Sequence, residues 1–91
     1  MPTLRQLEYL VTLADTGSFV QAARLSNVSQ PTLSQQVRAL EHRLGVKLLD
    51  RSTTGAVLTP IGRGIVSKAR SVLGNVRDIE GAFAGGGGIL R

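Results

Sequence analysis

Ninety-one residues leave room for one small domain, or a domain with an appendage, around a modest core. The formal charge of +5, from eleven Lys and Arg against six Asp and Glu, suits a polyanionic partner, although a membrane surface or a solubility preference would also account for it. With no cysteine there is neither a disulfide framework nor a thiolate metal site, and one histidine among dispersed acids argues against the convergent groups of an enzyme or a metal centre.

The opening MPTLRQLEYL has no charged leader followed by an apolar run and no small-residue cleavage site, and no stretch is apolar enough to span a bilayer. A soluble cytoplasmic protein is the expectation, with no membrane partner. A first amphipathic helix starts at a capping box of Thr3 and Gln6 and ends at the Thr16-Gly17 break, with Leu4, Leu7, Leu10, Val11 and Ala14 on its inner face. Tyr9 lies on a neighbouring face and serves either packing or a contact to another subunit.

Two short helices joined by a tight polar turn follow, over SFVQAARLSNVSQPTLSQQVRALEHRLG. Ser18 caps the first, Gln21 completes a capping box, and Phe19, Ala22, Ala23 and Leu25 form its buried stripe. The adjacent alanines permit a close, steep helix crossing. The turn is Ser26-Asn27-Val28, with Asn27 tolerating a left-handed backbone and Val28 as an apolar plug.

Ser29 caps the second helix, Pro31 sits in its first turn, and Leu33, Val37, Leu40 and Leu44 face the core. The opposite face carries Gln30, Thr32, Ser34, Gln35, Arg38 and Glu41, with Pro31 exposed among them. These hydroxyls and amides suit base edges in a DNA major groove, and the helix N-terminus suits a phosphate. An ordinary solvated helix face is the plain alternative. His42, near the helix end, has no role beyond the helix dipole.

After Gly45, a helix C-cap, the period changes. Leu48 and Leu49, a polar Thr53-Thr54-Gly55 turn, then Val57 and Leu58 predict a short hairpin, or wing, with Asp50 and Arg51 at its base and Ser52, Thr53 and Thr54 at its tip. Arg51 there either enters an adjacent minor groove or forms a local ion pair with Asp50 or Glu41.

Thr59 and Pro60 open a long last helix in which Ile65, Ala69, Val72, Val76, Ile79 and Phe83 alternate spacings of four and three, a heptad seam that suits pairing with a second helix. Ile61, Val66 and Leu73 lie off the seam and would attach the helix to its own head. Gly62, Gly64 and Gly74 weaken it, so tertiary or dimer contacts must hold it. The alternative is a helix folded back on its own domain with an accidental repeat. The four glycines from Gly85 to Gly88, followed by Ile89-Leu90-Arg91, read as a linker into a missing domain.

The order of parts, with AARLSNVSQPTLSQQVRALEHRLGVKLLDR, the LTPIG that ends the wing and the long helix, resembles the N-terminal DNA-binding domain of LysR-type transcriptional regulators from Leu4 to about Phe83. The expected fold is therefore mainly α: a winged helix-turn-helix over 1–58, made of a three-helix head and a short β-hairpin wing, then a linker/dimerisation helix over 59–84. Residues 85–91 would be the Gly-rich hinge and the start of an absent effector-binding domain.

The resemblance implies a bacterial regulator whose linker helix pairs two heads on double-stranded DNA. It also implies a tetramer at full length, and a small-molecule effector for the missing domain but no cofactor in this part. Gln30, Pro31, Thr32, Ser34 and Gln35 would meet bases or nearby phosphates, Ser29 and Arg38 would hold phosphates, and Arg51 with Thr53 or Thr54 would serve the wing. Many family members carry arginine where Gln35 stands, so base preference would move from guanine toward adenine or a mixed readout. A protein-interaction module built on the heptad helix, and sequence-neutral DNA binding, remain the competing readings.

Overall fold

The computed structural model describes the backbone of residues 1–52 and 55–84, and the side chains of 1–51 and 55–81. In chain order the elements are α1 (Leu4–Thr16), α2 (Phe19–Leu25), α3 (Gln30–Leu44), β1 (Leu49–Ser52), β2 (Gly55–Leu58) and α4 (Pro60–Ala84). The mainly α winged helix-turn-helix architecture is present, with α1, α2 and α3 packed on one another and α4 laid against α1. The molecule measures 52 × 26 × 19 Å. Its length follows from α4, whose 25 residues span about 37 Å.

The predicted caps are largely in place, and one is built differently. Thr3 Oγ1 accepts the Gln6 N–H at 3.0 Å and Gln6 Oε1 accepts the Thr3 N–H at 3.1 Å, closing the capping box of α1. Gly17 ends that helix at φ +67°, a left-handed conformation that a side chain would resist. Ser18 Oγ accepts the Gln21 N–H at 3.2 Å, but the Ser18 N–H donates to Thr16 Oγ1 at 3.3 Å, so Thr16 supplies the half of the box expected from Gln21. Asn27 takes the left-handed turn at φ +58°.

The core gathers Tyr9, Leu10 and Leu13 from α1, Ala22 and Ala23 from α2, Leu33, Val37 and Leu40 from α3, Leu48 and Leu49 from the base of the wing, and Val66 from α4. Two expected core residues are outside it. Leu4 is 48% exposed and Leu25 70% exposed. Leu4 is the first residue of α1, while Leu25 lies about 110° around α2 from the centre of the Ala22-Ala23 face, at about 100° per residue. The inner face of α1 is instead Gln6, Tyr9, Leu10 and Leu13, with Leu7, Val11 and Ala14 partly buried, because α2, α3, α4 and β2 all contact this helix. Tyr9 is thus a packing residue, its hydroxyl accepting from Arg5 Nε at 3.0 Å.

The wing is an antiparallel pair in the register Leu49↔Leu58, Asp50↔Val57, Arg51↔Ala56 and Ser52↔Gly55. Thr59 joins it to α4: its N–H donates to the Leu48 carbonyl at 3.0 Å, its hydroxyl donates to the Lys47 carbonyl at 2.6 Å, and the same oxygen accepts the Gly62 N–H at 3.0 Å. A Cβ at residue 62 would stand 2.1 Å from the Leu48 carbonyl oxygen, so a glycine there lets the first turn of α4 seat on the wing base.

The seam on α4 is divided between inside and outside. Ala69 is buried and Ile65 packs on the core of the same head, so these two face inward rather than toward an open seam. The inward stripe is Gly62, Val66, Ala69 and Leu73, itself spaced four, three and four, and small residues at 62 and 69 suit a close helix approach. Val66 and Leu73 attach the helix to the head as expected, whereas Ile61 is 50% exposed and does not. Val72 and Ile79 are exposed and Val76 half-buried; the side chain of Phe83 lies outside the described residues.

Candidate nucleic-acid interface

Helix α3 presents two unlike faces. Leu33, Val37 and Leu40 are fully buried, while Ser29, Gln30, Pro31, Thr32, Gln35 and Arg38 are exposed and Ser34 is half-buried. One face of α3 and its cap thus hold together all seven residues expected at bases or phosphates on this helix. Ser29 Oγ accepts the Thr32 N–H at 3.2 Å and donates to Thr32 Oγ1 at 2.8 Å, so the first turn is held by its own side chains before any partner arrives. That order lowers the entropy lost when the surface meets a ligand. Behind it, Gln6 Nε2 donates to Gln36 Oε1 at 3.3 Å and ties α3 to α1.

Glu41, expected on the outer face, is turned inward. Its Oε2 accepts the Leu48 and Leu49 amides at 2.8 and 3.2 Å, and its Oε1 lies 3.3 Å from Arg51 Nη1. One carboxylate therefore satisfies two amides at the start of β1 and fixes the wing to the reading helix. A signal for this existed in the sequence: Glu41 borders the Leu33-Val37-Leu40-Leu44 stripe, where a side chain reaches the segment that returns along the helix.

Arg51 follows the ion-pair alternative. Its guanidinium sits between Glu41 and the Phe19 ring, whose centroid is 5.5 Å away, and its side chain is 25% exposed. Nε and Nη2 are buried without a hydrogen-bond partner among the described residues. In this arrangement Arg51 supports the wing from beneath rather than reaching outward. Thr53 and Thr54, expected at the tip, lie outside the described residues, as do residues 85–91.

Arg38, His42 and Lys47 line an open cleft with Glu41 and Arg51 between the last turns of α3 and the wing base. The exposed cations Arg38 and Lys47 thus continue the reading face toward the wing, in keeping with a polyanion. Another charged feature escaped the sequence reading. Arg70 on α4 hydrogen-bonds the Asp15 carboxylate on α1 through both terminal nitrogens, and that bond and the charge of Asp15 raise the arginine's pKa above its ordinary value. Among the described residues no group of His, Cys, Asp and Glu could hold a metal ion, and no helix is long and apolar enough to cross a membrane.

Comparison with known proteins places this geometry. Residues 4–63 match the family model of the bacterial regulatory helix-turn-helix proteins of the lysR family. The HTH-type transcriptional regulator EstR of Acinetobacter baylyi is 46% identical over 79 residues, which cover 87% of this chain and 26% of EstR. The chain thus spans about a quarter of the length of that relative. Among solved structures, the BenM DNA-binding domain on its catB site 1 DNA superimposes with a TM-score of 0.86 at 34% identity, covering 90% of this chain and 91% of that one. The CbnR DNA-binding domain in its DNA complex gives 0.80 at 40% identity, covering 90% and 98%.

Proposed function

Since the chain belongs to the lysR family of bacterial regulatory helix-turn-helix proteins, we propose that it binds double-stranded DNA sequence-specifically, as a dimer, and so addresses a transcriptional regulator to its sites. The observation that carries this reading is the exposed row Gln30, Pro31, Thr32, Gln35 and Arg38 on a helix whose other face is locked into the core. The outward row enters the major groove: Gln30 and Gln35 contact base edges, with Gln35 favouring adenine, while Ser29 and Arg38 hold phosphates. Pro31, Thr32 and Ser34 shape the contact at the helix start. The wing lies over the neighbouring backbone or minor groove, with Thr53 or Thr54 making the contact and the strand before them braced by Arg51 and Glu41.

Dimerisation through the outer part of α4 supplies the second reading helix. Val72, Val76 and Ile79, with Phe83, continue the heptad spacing on the side of α4 turned away from the buried Val66, Ala69 and Leu73, and Ile65 and Ala69 begin the same repeat closer to the head. Two linked heads gain affinity through effective concentration and read two half-sites. The function is binding rather than catalysis, and a regulator of bacterial transcription works in the cytoplasm. For the whole protein we extend the proposal to a small-molecule effector sensed by a further domain, and to a tetramer of such chains.

Selection from random duplex DNA at near-physiological salt, then titration of the winner against scrambled sequence over a salt series, tests the reading. An inverted repeat bound far more tightly than scramble is expected, with affinity falling steeply as salt rises. Equal affinity for every duplex would leave sequence-neutral binding, and no binding would bring forward a protein-interaction role for α4.

A further inference from the structure

The groove between α1 and α4 is lined by opposite charges on its two sides. Glu8 and Asp15 stand on α1, Arg70 and Arg77 on α4, and Leu73 with Val11 forms the floor between them. Asp15 and Arg70 are joined by a two-pronged hydrogen bond. Glu8 and Arg77 each lie seven residues from that pair, since 15 − 8 and 77 − 70 are both 7, or about two helical turns. Glu8 is within 3.8 Å of Arg5 and so is shared with its own helix.

Stability alone does not account for this pair. Both side chains are about half exposed, at 50% and 54%, where an ion pair contributes little to folding. Asp15 also sits in the last turn of α1, where the helix dipole disfavours a carboxylate. Its position brings a different effect. The Thr59 hydrogen bonds and Gly62 pin the first turn of α4 on the wing base, and Val66, Ala69 and Leu73 supply non-directional apolar contact. A two-pronged bond at the groove edge adds a directional restraint on the swing of the helix about two to three turns further along.

We propose that Asp15 and Arg70 are positioning residues that fix the tilt of α4 on the head and thereby set the half-site spacing that a dimer of this chain accepts. The inference rests on the proposed dimeric DNA reading. The lever is long: from Arg70 to Ala84 is 84 − 70 = 14 residues, or about 21 Å. A swing of about 10° at that radius displaces the far end by roughly 3.5 Å, close to the 3.4 Å or so of one base-pair step. Loosening this bond therefore blurs spacing by about one base pair while leaving each reading helix intact.

The test compares the chain with Asp15→Asn, Arg70→Gln and the reciprocal Asp15→Arg/Arg70→Asp on duplexes whose two half-sites are separated by varied spacers. The parent and the reciprocal variant should prefer the best spacer over one a base pair longer or shorter by about tenfold, each single variant by less than about threefold, with affinity for an isolated half-site alike in all four. Because the chain has no cysteine, Gln21→Cys with Asp78→Cys gives a unique spin-label pair across head and linker, diluted into unlabelled chain. The distance distribution should broaden in the single variants and narrow again in the reciprocal one. Equal widths in all four would overturn the clamp, and altered widths with an unchanged spacing preference would overturn its role in spacing. If the parent shows no sequence preference, the DNA reading fails, and with it the spacing role, while the label distances still decide the clamp.

Discussion

Helices α3 and α4 are both amphipathic, yet the fold holds them by different means. Along its buried face α3 places Leu33, Val37 and Leu40 in the centre of the core, and it is tied at its start by Ser29 and Thr32 and near its end by Glu41 and the wing amides. In α4 one stripe, Gly62, Val66, Ala69 and Leu73, is held against the head, while Val72 and Ile79 on the other side face outward. A surface that must present donors and acceptors to a rigid partner gains from the first arrangement, because ordering is completed in advance. A helix that must find its own twin gains from the second, because an apolar row left uncovered by one head is available to another.

The contrast is sharpest in substitution. Leu40→Ala removes a fully buried side chain behind the reading face and should destabilise the fold by about 2–5 kcal/mol, measured by urea denaturation. Gly62→Ala drives a methyl group into the Leu48 carbonyl, a backbone group that cannot turn aside as a flexible side chain would; a loss of about 1–3 kcal/mol is expected by the same measurement. An unchanged midpoint in either variant would mean that the head is not held where it is closest packed.

Glu41→Gln keeps an acceptor for the amides but removes the charge facing Arg51, two of whose guanidinium nitrogens already have no hydrogen-bond partner among the described residues. A loss of about 1–2 kcal/mol follows, and amide exchange at Leu48 and Leu49 should accelerate more than at Leu10 or Leu13. Uniform acceleration would show that the carboxylate supports the whole head rather than the wing.

Much of this contrast was legible in the chain. Capping residues and turn formers act locally, so Thr3, Ser18, Asn27, Ser29, Gly45 and Thr59 could be placed from their neighbours alone, and the polar face of α3 followed from periodicity. What escaped depends on which helix covers which. Heptad spacing in α4 marks both the stripe that docks on α1 and the one that faces away, and sequence period does not distinguish them. Likewise Glu41 and Arg51 are polar residues whose direction is decided by a chain return seven to ten residues later. Leu25 shows the converse: an apolar residue on a two-turn helix need not be on its buried side.

The smallest effect on folding should come from the outer half of α4. Ile79 is 60% exposed in the single chain, so Ile79→Asp removes no core contact, and the head's stability should change by no more than about 0.5 kcal/mol. If Val72, Val76 and Ile79 form the dimer face, the same substitution buries a carboxylate against its symmetry mate, a cost that association cannot offset. Analytical ultracentrifugation should then give monomers with native circular dichroism. Dimers that persist would shift the pairing surface elsewhere on the head, and a destabilised monomer would mean that α4 is held by its own domain further along than its exposed residues indicate.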